Sequence, residues 1–183
     1  MFVLASASPR RKELLKKIVS EFEILAANID ERAIDSLVAP EDLPVEESKL
    51  KARAVVPLRP NDDILAVDTI VLLDGKVLGK PLDKEDAVRM LLEEAGKRQT
   101  VISGFTYIHN GIEINGKDST EVYFNELSEK EIREYVKKYM PLDKAGAYGI
   151  QDEAGLIKKI EGSYDNVMGL PTERIRDVLF PED

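Results

Sequence analysis

The sequence predicts an α/β protein whose sheet combines parallel strands with antiparallel hairpins. Three observations indicate this class. A short apolar run at residues 2–5 is followed at once by a helix start, which is typical of a buried strand leading into a helix. Two apolar segments turn at Asp74-Gly75 and Asn110-Gly111, which are hairpin dipeptides. Helical patterns lie between the strands without strict alternation, so a doubly wound parallel sheet is not expected.

Local signals predict each element in chain order. Ser8 is a favoured helix cap and Pro9 fits the first helical position. Ser128 and Glu131 fit a capping box, and Gly96 is placed to end a helix. The predicted elements are a strand over 2–5; a helix from Pro9 to about Val19; a half-buried strand marked by Phe22, Ile24 and Ala26; a helix over 45–56; a hairpin over 64–78; a helix over 84–95; a hairpin turning at 110–111; a strand over 121–125; a helix from Ser128 to Tyr139; and a last helix from Pro171.

Length and composition limit the possible functions. The 183 residues suit a single domain over 1–183 with room for two lobes. A net charge of −9 argues against a broad nucleic-acid surface, so a phosphate site must be local. No apolar run approaches the ~20 residues that span a bilayer, and no signal peptide is apparent, so we expect a cytoplasmic protein without a membrane partner.

The absence of cysteine and the single histidine restrict the chemistry further. Disulfides, thiolate metal sites and multi-histidine metal sites are excluded within one chain. His109 precedes a turn dipeptide, so we expect an exposed turn residue rather than a catalyst. Any metal would therefore be held by oxygen ligands, which suits a hard divalent cation.

Two adjacent arginines, Arg10 and Arg11, lie in the first turn of the first predicted helix. That end of a helix carries roughly half a positive charge and unpaired N–H groups, so cations are mildly unfavourable there. Two interpretations remain open from this stretch alone. The arginines either face a bound anion or are solvated residues whose small penalty is tolerated.

Asp68 interrupts an otherwise apolar strand, in the stretch AVDTIVLL. A buried carboxylate is costly unless it is paired or binds a metal. One interpretation is a strand-end aspartate that caps a neighbour. The other is a metal ligand or general base held on a rigid element, with the hydroxyl of Thr69 beside it. A divalent cation such as Mg²⁺ fits the second interpretation because it takes carboxylate and phosphate oxygens.

Two further motifs contain small residues beside a lysine. The stretch GKP (79–81) follows the hairpin, and it is not a P-loop because the glycine spacing is short and proline replaces the Ser or Thr. In DKAGAYGIQ (143–151), Lys144 and Gln151 flank small residues that would let backbone approach a ligand. Each motif is weak by itself, since loop lysines are often solvated and turns commonly contain glycine.

Taken together, SASPRR, VDT, GKP, DKAGAYGIQ and GSYDNVMGLP resemble the Maf family of nucleoside triphosphate pyrophosphatases, also called septum formation inhibitor proteins. The resemblance covers nearly the whole chain. It implies an elongated mixed sheet flanked by helices, two lobes with a cleft, and a relation to the inosine triphosphate pyrophosphatase fold. It also implies hydrolysis of a nucleoside triphosphate to the monophosphate and pyrophosphate with a divalent metal, Mg²⁺ or Mn²⁺, in a homodimer.

The resemblance also assigns roles to individual residues. Asp68 matches the catalytic proton acceptor, and Asp68 and Glu31 are the expected metal ligands, although the sequence does not decide which carboxylate is the base. The expected phosphate-binding residues are Ser6, Arg10, Arg11, Lys51, Lys80 and Lys144. The chain departs from the usual family pattern at Gln99, where many members have histidine, and at Ser48, where alanine is common.

The branch of the family is indicated by three positions. Arg10, Thr69 and Gln151 match the branch associated with dTTP and UTP, whereas the 7-methyl-GTP branch has tryptophan, glutamine and glutamate there. Gln151 offers a donor and an acceptor that suit the N3–H and carbonyl edge of uracil and thymine. A second interpretation of Gln151 and Thr69 is that they only brace the loop. Alternative functions are a 7-methyl-GTP pyrophosphatase and a nucleotide-binding regulator of cell division.

Overall fold

The computed structural model describes residues 1–29 and 38–182. Its helices are α1 (Pro9–Leu15), α2 (Leu43–Val55), α3 (Lys84–Glu94), α4 (Glu129–Tyr139), α5 (Tyr164–Met168) and α6 (Thr172–Leu179). Its strands are β1 (Phe2–Leu4), β2 (Glu23–Ile24), β3 (Asp63–Leu73), β4 (Lys76–Leu78), β5 (Arg98–His109), β6 (Ile112–Phe124) and β7 (Ile157–Glu161). None of the helices described is long and apolar enough to cross a membrane.

The described strands form one mixed sheet in the order β2-β1-β3-β5-β6-β7, with β4 paired to the far end of β3. β1 pairs in parallel with both β2 and β3. The hairpin partners β3 and β4 are antiparallel, as are β6 and β7. The predicted α/β class with a mixed sheet is therefore confirmed.

The chain divides into two compact units. The first unit contains Met1–Thr69, Ile102–Asp118 and Asp165–Asp183, and the second contains Ile70–Val101 and Ser119–Tyr164. Each unit therefore combines segments that are far apart in sequence.

In the first unit, β1 and β3 bury both of their faces. Leu4, Leu65 and Val67 belong to an apolar cluster completed by α1 and α6. Their neighbours on the opposite face, Val3 and Ala66, belong to a second cluster that α2 completes. Because successive strand residues point to opposite faces, burial on both sides explains why these strands read as continuous apolar runs.

Gly104 positions α2 against the sheet. A Cβ atom on Gly104 would lie 2.4 Å from the backbone nitrogen of Val45. No side chain fits at that distance, so β5 and the first turn of α2 are in direct backbone contact. Ser48 holds the same helix through a 2.7 Å hydrogen bond between its hydroxyl and that of Thr106 on β5.

In the second unit, α3 packs against α4. Asp83 caps α3 by accepting a hydrogen bond from the backbone N–H of Asp86. Ser128 and Glu131 form the predicted capping box at the start of α4. Arg133 on α4 links the two helices, because its guanidinium donates to Glu85 Oε1 at 2.9 Å and to Glu129 Oε1.

The two predicted hairpin turns are also confirmed. Asp74 and Gly75 have φ values of 51° and 76°, and Asn110 and Gly111 have 50° and 76°. Positive φ at both central residues is the requirement of the tight turn that suits twisted strands. His109 ends β5 beside the second turn and is exposed, as expected.

Two predicted elements differ from the structure, and one short helix was not predicted. α1 ends at Leu15 rather than near Val19, because the chain tightens into turns after Leu15. β2 contains only Glu23–Ile24, and the predicted burial of Ile24 and Ala26 is wrong, since both are exposed while Leu25 and Ala27 pack on the core. The short helix α5 was not predicted, because its segment reads as a glycine-bounded loop.

Candidate active site

The alternation of β3 separates Asp68 from Thr69. Asp68 follows Ala66 by two residues and shares its face, on which α2 packs. Thr69 follows Val67 by two residues and shares the face of α1 and α6. Adjacent residues in the predicted VDT motif therefore contact different helices.

Asp68 is a buried carboxylate paired with a lysine. It is 7% exposed, and the Lys51 ammonium nitrogen donates to Asp68 Oδ1 at 2.6 Å. Burial acts to raise the pKa of Asp68, but a hydrogen bond from Glu47 and the charges of Lys51 and Arg11 outweigh it. The pKa of Asp68 therefore lies below its usual value. Asp68 is ionised at neutral pH and available as a proton acceptor or metal ligand.

Glu47 is the residue that sequence reasoning missed at this position. It lies one turn before Lys51 on α2, is 6% exposed, and forms a hydrogen bond with Asp68 that lowers the pKa of Asp68. The spacing i, i+4 places Glu47 and Lys51 on one face of the helix. That spacing is visible in the sequence, but only the structure shows that this face of α2 covers Asp68.

Arg11 joins three of the predicted site segments within the first unit. Its Nε donates to the carbonyl oxygen of Gly169 at 2.7 Å, and its Nη2 donates to Thr69 Oγ1 at 3.1 Å. Its Nη1 reaches Ser6 Oγ at 3.4 Å. SASPRR, VDT and GSYDNVMGLP thus meet at one guanidinium group, beside the partly buried Arg10.

The network continues from Thr69 into β5. The hydroxyl oxygens of Thr69 and Ser103 are 2.7 Å apart, and Ser103 Oγ donates to the carbonyl oxygen of Asn166 at 3.1 Å. Since Ser103 donates onward and Thr69 accepts from Arg11, Thr69 donates to Ser103. The Thr69 hydroxyl is therefore held in one orientation by two partners.

In the second unit, the structure joins GKP to DKAGAYGIQ. The backbone N–H of Gly146 donates to the carbonyl oxygen of Gly79 at 3.1 Å, which places the Lys80 and Lys144 segments side by side. The Lys144 side chain is 15% exposed and donates to Asp143 at 3.2 Å. Lys80 and Gln151 are exposed.

The glycines of DKAGAYGIQ are required by protein contacts. A Cβ atom on Gly146 would lie 2.7 Å from Glu94 Oε1, and one on Gly149 would lie 2.7 Å from Asp152 Oδ2. Gly146 also has a φ of 71°. The small residues of this motif were predicted to admit a ligand, whereas these two glycines admit neighbouring side chains.

Beneath this loop lies a buried chain of polar side chains. Tyr148 donates to Gln99 Oε1 at 2.9 Å, and Gln99 Nε2 donates to Glu94 Oε1 at 2.8 Å. Glu94 is 0% exposed, and its Oε2 has no hydrogen-bond partner within the described residues. Burial raises the pKa of Glu94 well above its usual value. Gln99, a departure from the usual family pattern, thus connects a buried acid to the loop.

The raised pKa of Glu94 predicts a stability effect of Glu94→Gln. The folded state keeps the proton of Glu94 at pH values where the unfolded chain, with an ordinary value of 4.5, has lost it. The contribution of Glu94 to the free energy of unfolding is therefore fully present below pH 4.5 and is lost as pH rises toward the folded pKa. Relative to Glu94→Gln, the wild-type free energy of unfolding should decrease between pH 5 and 8, by at most about 1.4 kcal/mol per pH unit.

Urea unfolding at several pH values measures this difference. Glu134→Gln is the matched control, because Glu134 is an exposed glutamate on α4. The control should follow the wild-type pH profile. Parallel profiles for wild type and Glu94→Gln would contradict the assignment of a buried, protonated Glu94.

The side chains around Asp68 fit a hard divalent cation. Glu47 and Asp68 bring two carboxyl groups together where α2 covers β3. Within residues 1–29 and 38–182, no group of three or more His, Cys, Asp or Glu side chains is arranged to hold a metal. Mg²⁺ usually takes one or two carboxylates and completes its shell with phosphates and water. The predicted ligand Glu31 lies outside the described residues.

The whole chain matches a known family. The family model described as Maf-like protein covers residues 1–181. This chain belongs to the Maf family. Among Maf relatives, the dTTP/UTP pyrophosphatase of Thermococcus gammatolerans is 46% identical over 98% of this chain and 97% of its own length. Those of Thermococcus onnurineus and Clostridium perfringens strain SM101 are each 43% identical, over 98% and 97% of this chain and 98% and 94% of their own lengths.

A solved structure supports the Maf fold independently of close sequence similarity. The HAM1 protein from Coxiella burnetii superposes with a TM-score of 0.57 and 14% sequence identity, covering 99% of this chain and 98% of that one. At this identity the likeness concerns the fold alone. The predicted family and fold are therefore confirmed, and the roles of the individual Maf site residues stay predictions.

Proposed function

We propose that this Maf protein hydrolyses dTTP and UTP to the monophosphate and pyrophosphate. The observation that carries the proposal is the partly buried pair of Asp68 and Lys51, 2.6 Å apart, which holds an ionised carboxylate beside a fixed cation. Relatives that match nearly the full chain are named dTTP/UTP pyrophosphatase, which supports the substrate class. A buried pair of this kind is costly for stability alone, so a role in catalysis accounts for it better.

In the proposed reaction, the oxygen of a water molecule attacks the α-phosphorus. The bond from the α-phosphorus to the bridging oxygen of the β-phosphate breaks, and pyrophosphate leaves. Asp68 accepts the proton of the attacking water, and its low pKa keeps it ionised for that step. Lys51 holds the carboxylate in place, and Glu47 supports it from the same helix face.

Cationic side chains would neutralise the phosphates. In the first unit these are Arg10, Arg11 and Lys51, with Ser6 contributing a hydroxyl, and in the second unit they are Lys80 and Lys144. Asp68 and Glu31 would hold a divalent cation, with Glu47 able to contribute an oxygen. When bound, Mg²⁺ or Mn²⁺ supplies charge neutralisation and orients the water and phosphates.

The proposed base preference depends on Gln151. Its amide offers one acceptor and two donors, which suits the N3–H and carbonyl edge shared by uracil and thymine. We expect kcat/KM for dTTP and UTP to exceed that for CTP, GTP and 7-methyl-GTP. A carboxylate in place of the amide would lose both donors, so Gln151→Glu should lower dTTP and UTP hydrolysis by about ten-fold or more.

Pyrophosphate release from this nucleotide panel with Mg²⁺ tests the proposal. Glu153→Gln is the control, because it changes an exposed residue two positions after Gln151 and should leave the base preference unchanged. Gln99→Glu is unsuitable as a control because Gln99 is buried. Faster turnover of 7-methyl-GTP would favour that pyrophosphatase instead. Nucleotide binding without turnover would favour the regulator of cell division, for which the buried Asp68 and Lys51 pair offers no explanation.

A cytoplasmic location and a homodimeric assembly complete the proposal. Both are expected from the sequence and its family resemblance. Sedimentation of the purified chain measures the assembly directly.

A further inference from the structure

The turn that presents Gln151 is fixed by one tyrosine. The backbone N–H of Asp152 donates to the carbonyl oxygen of Gly149 at 3.0 Å, which closes a four-residue turn with Gln151 at its third position. Tyr135 on α4 contacts both ends of this turn. Its hydroxyl accepts the backbone N–H of Gly149 at 2.9 Å and donates to Asp152 Oδ2 at 2.7 Å.

Tyr135 is buried and held in place, whereas the Gln151 side chain is exposed. Tyr135 is 3% exposed and packs against the ring of Tyr139, with ring centroids 4.9 Å apart. Gln151 is exposed, so its side chain is available to a ligand. Tyr148, which precedes the turn, is anchored separately through Gln99. Gln151 therefore lies in a turn whose first and last residues, Gly149 and Asp152, are both hydrogen-bonded to Tyr135.

Position matters for Gln151 because its chemistry alone does not choose a base. The N1–H and O6 edge of guanine presents the same donor and acceptor pair as the N3–H and O4 edge of uracil. If the Gln151 amide could move by the width of the second ring of guanine, it would bind guanine and uracil equally well. Only an amide held at one distance from Lys80 and Lys144, the proposed phosphate-binding residues of its own unit, can prefer the smaller base.

We propose that Tyr135 is a positioning residue that sets the preference for uracil and thymine by fixing the turn that carries Gln151. The inference rests on the proposed reading of the base by Gln151. Tyr135 itself touches no substrate in this proposal. Its hydroxyl acts through the backbone of Gly149 and the carboxylate of Asp152.

Tyr135→Phe removes the hydroxyl and keeps the ring. Without its acceptor, the N–H of Gly149 is buried and unpaired, so the turn should open more often. We expect the ratio of kcat/KM for UTP to that for GTP to fall about ten-fold, mainly through a higher KM for UTP. Tyr139→Phe removes a hydroxyl one helical turn further along α4, and this control should keep the wild-type ratio.

Hydrogen exchange of the unliganded proteins gives a readout that does not depend on activity. Exchange across residues 149–152 should be faster in Tyr135→Phe than in wild type and Tyr139→Phe, with the rest of α4 unchanged. Asp152→Asn keeps an oxygen that can accept from Tyr135 and should retain the UTP preference, whereas Asp152→Ala should lose part of it.

The outcomes separate this inference from the proposed function. A wild-type enzyme without preference for UTP over GTP would overturn the proposed base reading and, with it, this inference. A wild-type preference that survives unchanged in Tyr135→Phe would overturn the inference alone. Unchanged exchange at residues 149–152 in Tyr135→Phe would likewise show that the hydroxyl does not fix the turn. An equal loss of kcat for UTP and GTP would indicate a structural role only.

Discussion

Replacing Asp68 with asparagine should lower kcat by ~10²-fold or more while the protein remains folded. The change removes the proton acceptor with almost no change in volume. The amide oxygen can still accept from Lys51, which now donates at 2.6 Å to Oδ1. Steady-state pyrophosphate release from dTTP measures the loss, and urea unfolding measures whether the fold persists.

Asp74→Asn is the matched control for this experiment. Asp74 is an exposed carboxylate in the β3–β4 turn with a φ of 51°, a conformation that asparagine tolerates well. Its activity should equal that of wild type. Retention of more than about a tenth of the wild-type rate in Asp68→Asn would remove Asp68 from the role of base, since a lost general base costs ~10²-fold or more. A smaller loss in Glu31→Gln than in Asp68→Asn would mark Asp68 as the base.

Removal of divalent cations should abolish turnover. The carboxylates near Asp68 and the incoming phosphates are hard oxygen ligands, and the chain has no cysteine to hold a softer metal. Excess chelator should reduce the rate by ~10²-fold or more, because the metal contributes several kcal/mol of charge stabilisation. Mg²⁺ and Mn²⁺ should each restore it.

Two measurements make the metal experiment decisive. Dialysis against chelator followed by addition of Mg²⁺ distinguishes loss of the cation from loss of the fold. Full activity in excess chelator would contradict a metal-dependent reaction and would leave the cationic side chains as the source of charge neutralisation.

Local sequence signals predicted the parts of the fold that depend on neighbouring residues. The turn at Asn110-Gly111 and the capping box at Ser128 are determined within four residues, and both are confirmed. The burial of Asp68 could be predicted because it interrupts an otherwise apolar strand. The register of β2 could not, since Phe22, Ile24 and Ala26 alternate as a strand should, yet pairing with β1 begins at Glu23.

The sequence predicted which residues belong to the candidate site, but it did not predict which of them contact one another. Lys51 and Asp68 were both expected at the site, but their direct contact depends on how α2 lies on the sheet. The same is true of Glu47, whose role follows from the contact of Gly104 with the start of α2. Arg11 was expected to face phosphate, and its bonds to Gly169 and Thr69 arise from segments distant in sequence.

The division of the chain between the two units has a consequence during protein synthesis. The segments of the second unit are complete once Tyr164 has been made, whereas the first unit also needs Leu170 and Ile175, which share an apolar cluster with Leu4. The apolar cluster that contains the leucines of β1 and α1 therefore stays incomplete until Leu170 and Ile175 have been translated. Such a nascent chain exposes part of an apolar surface near its amino terminus to chaperones, and the unit that contains Asp68 is completed only when its last segment has been made.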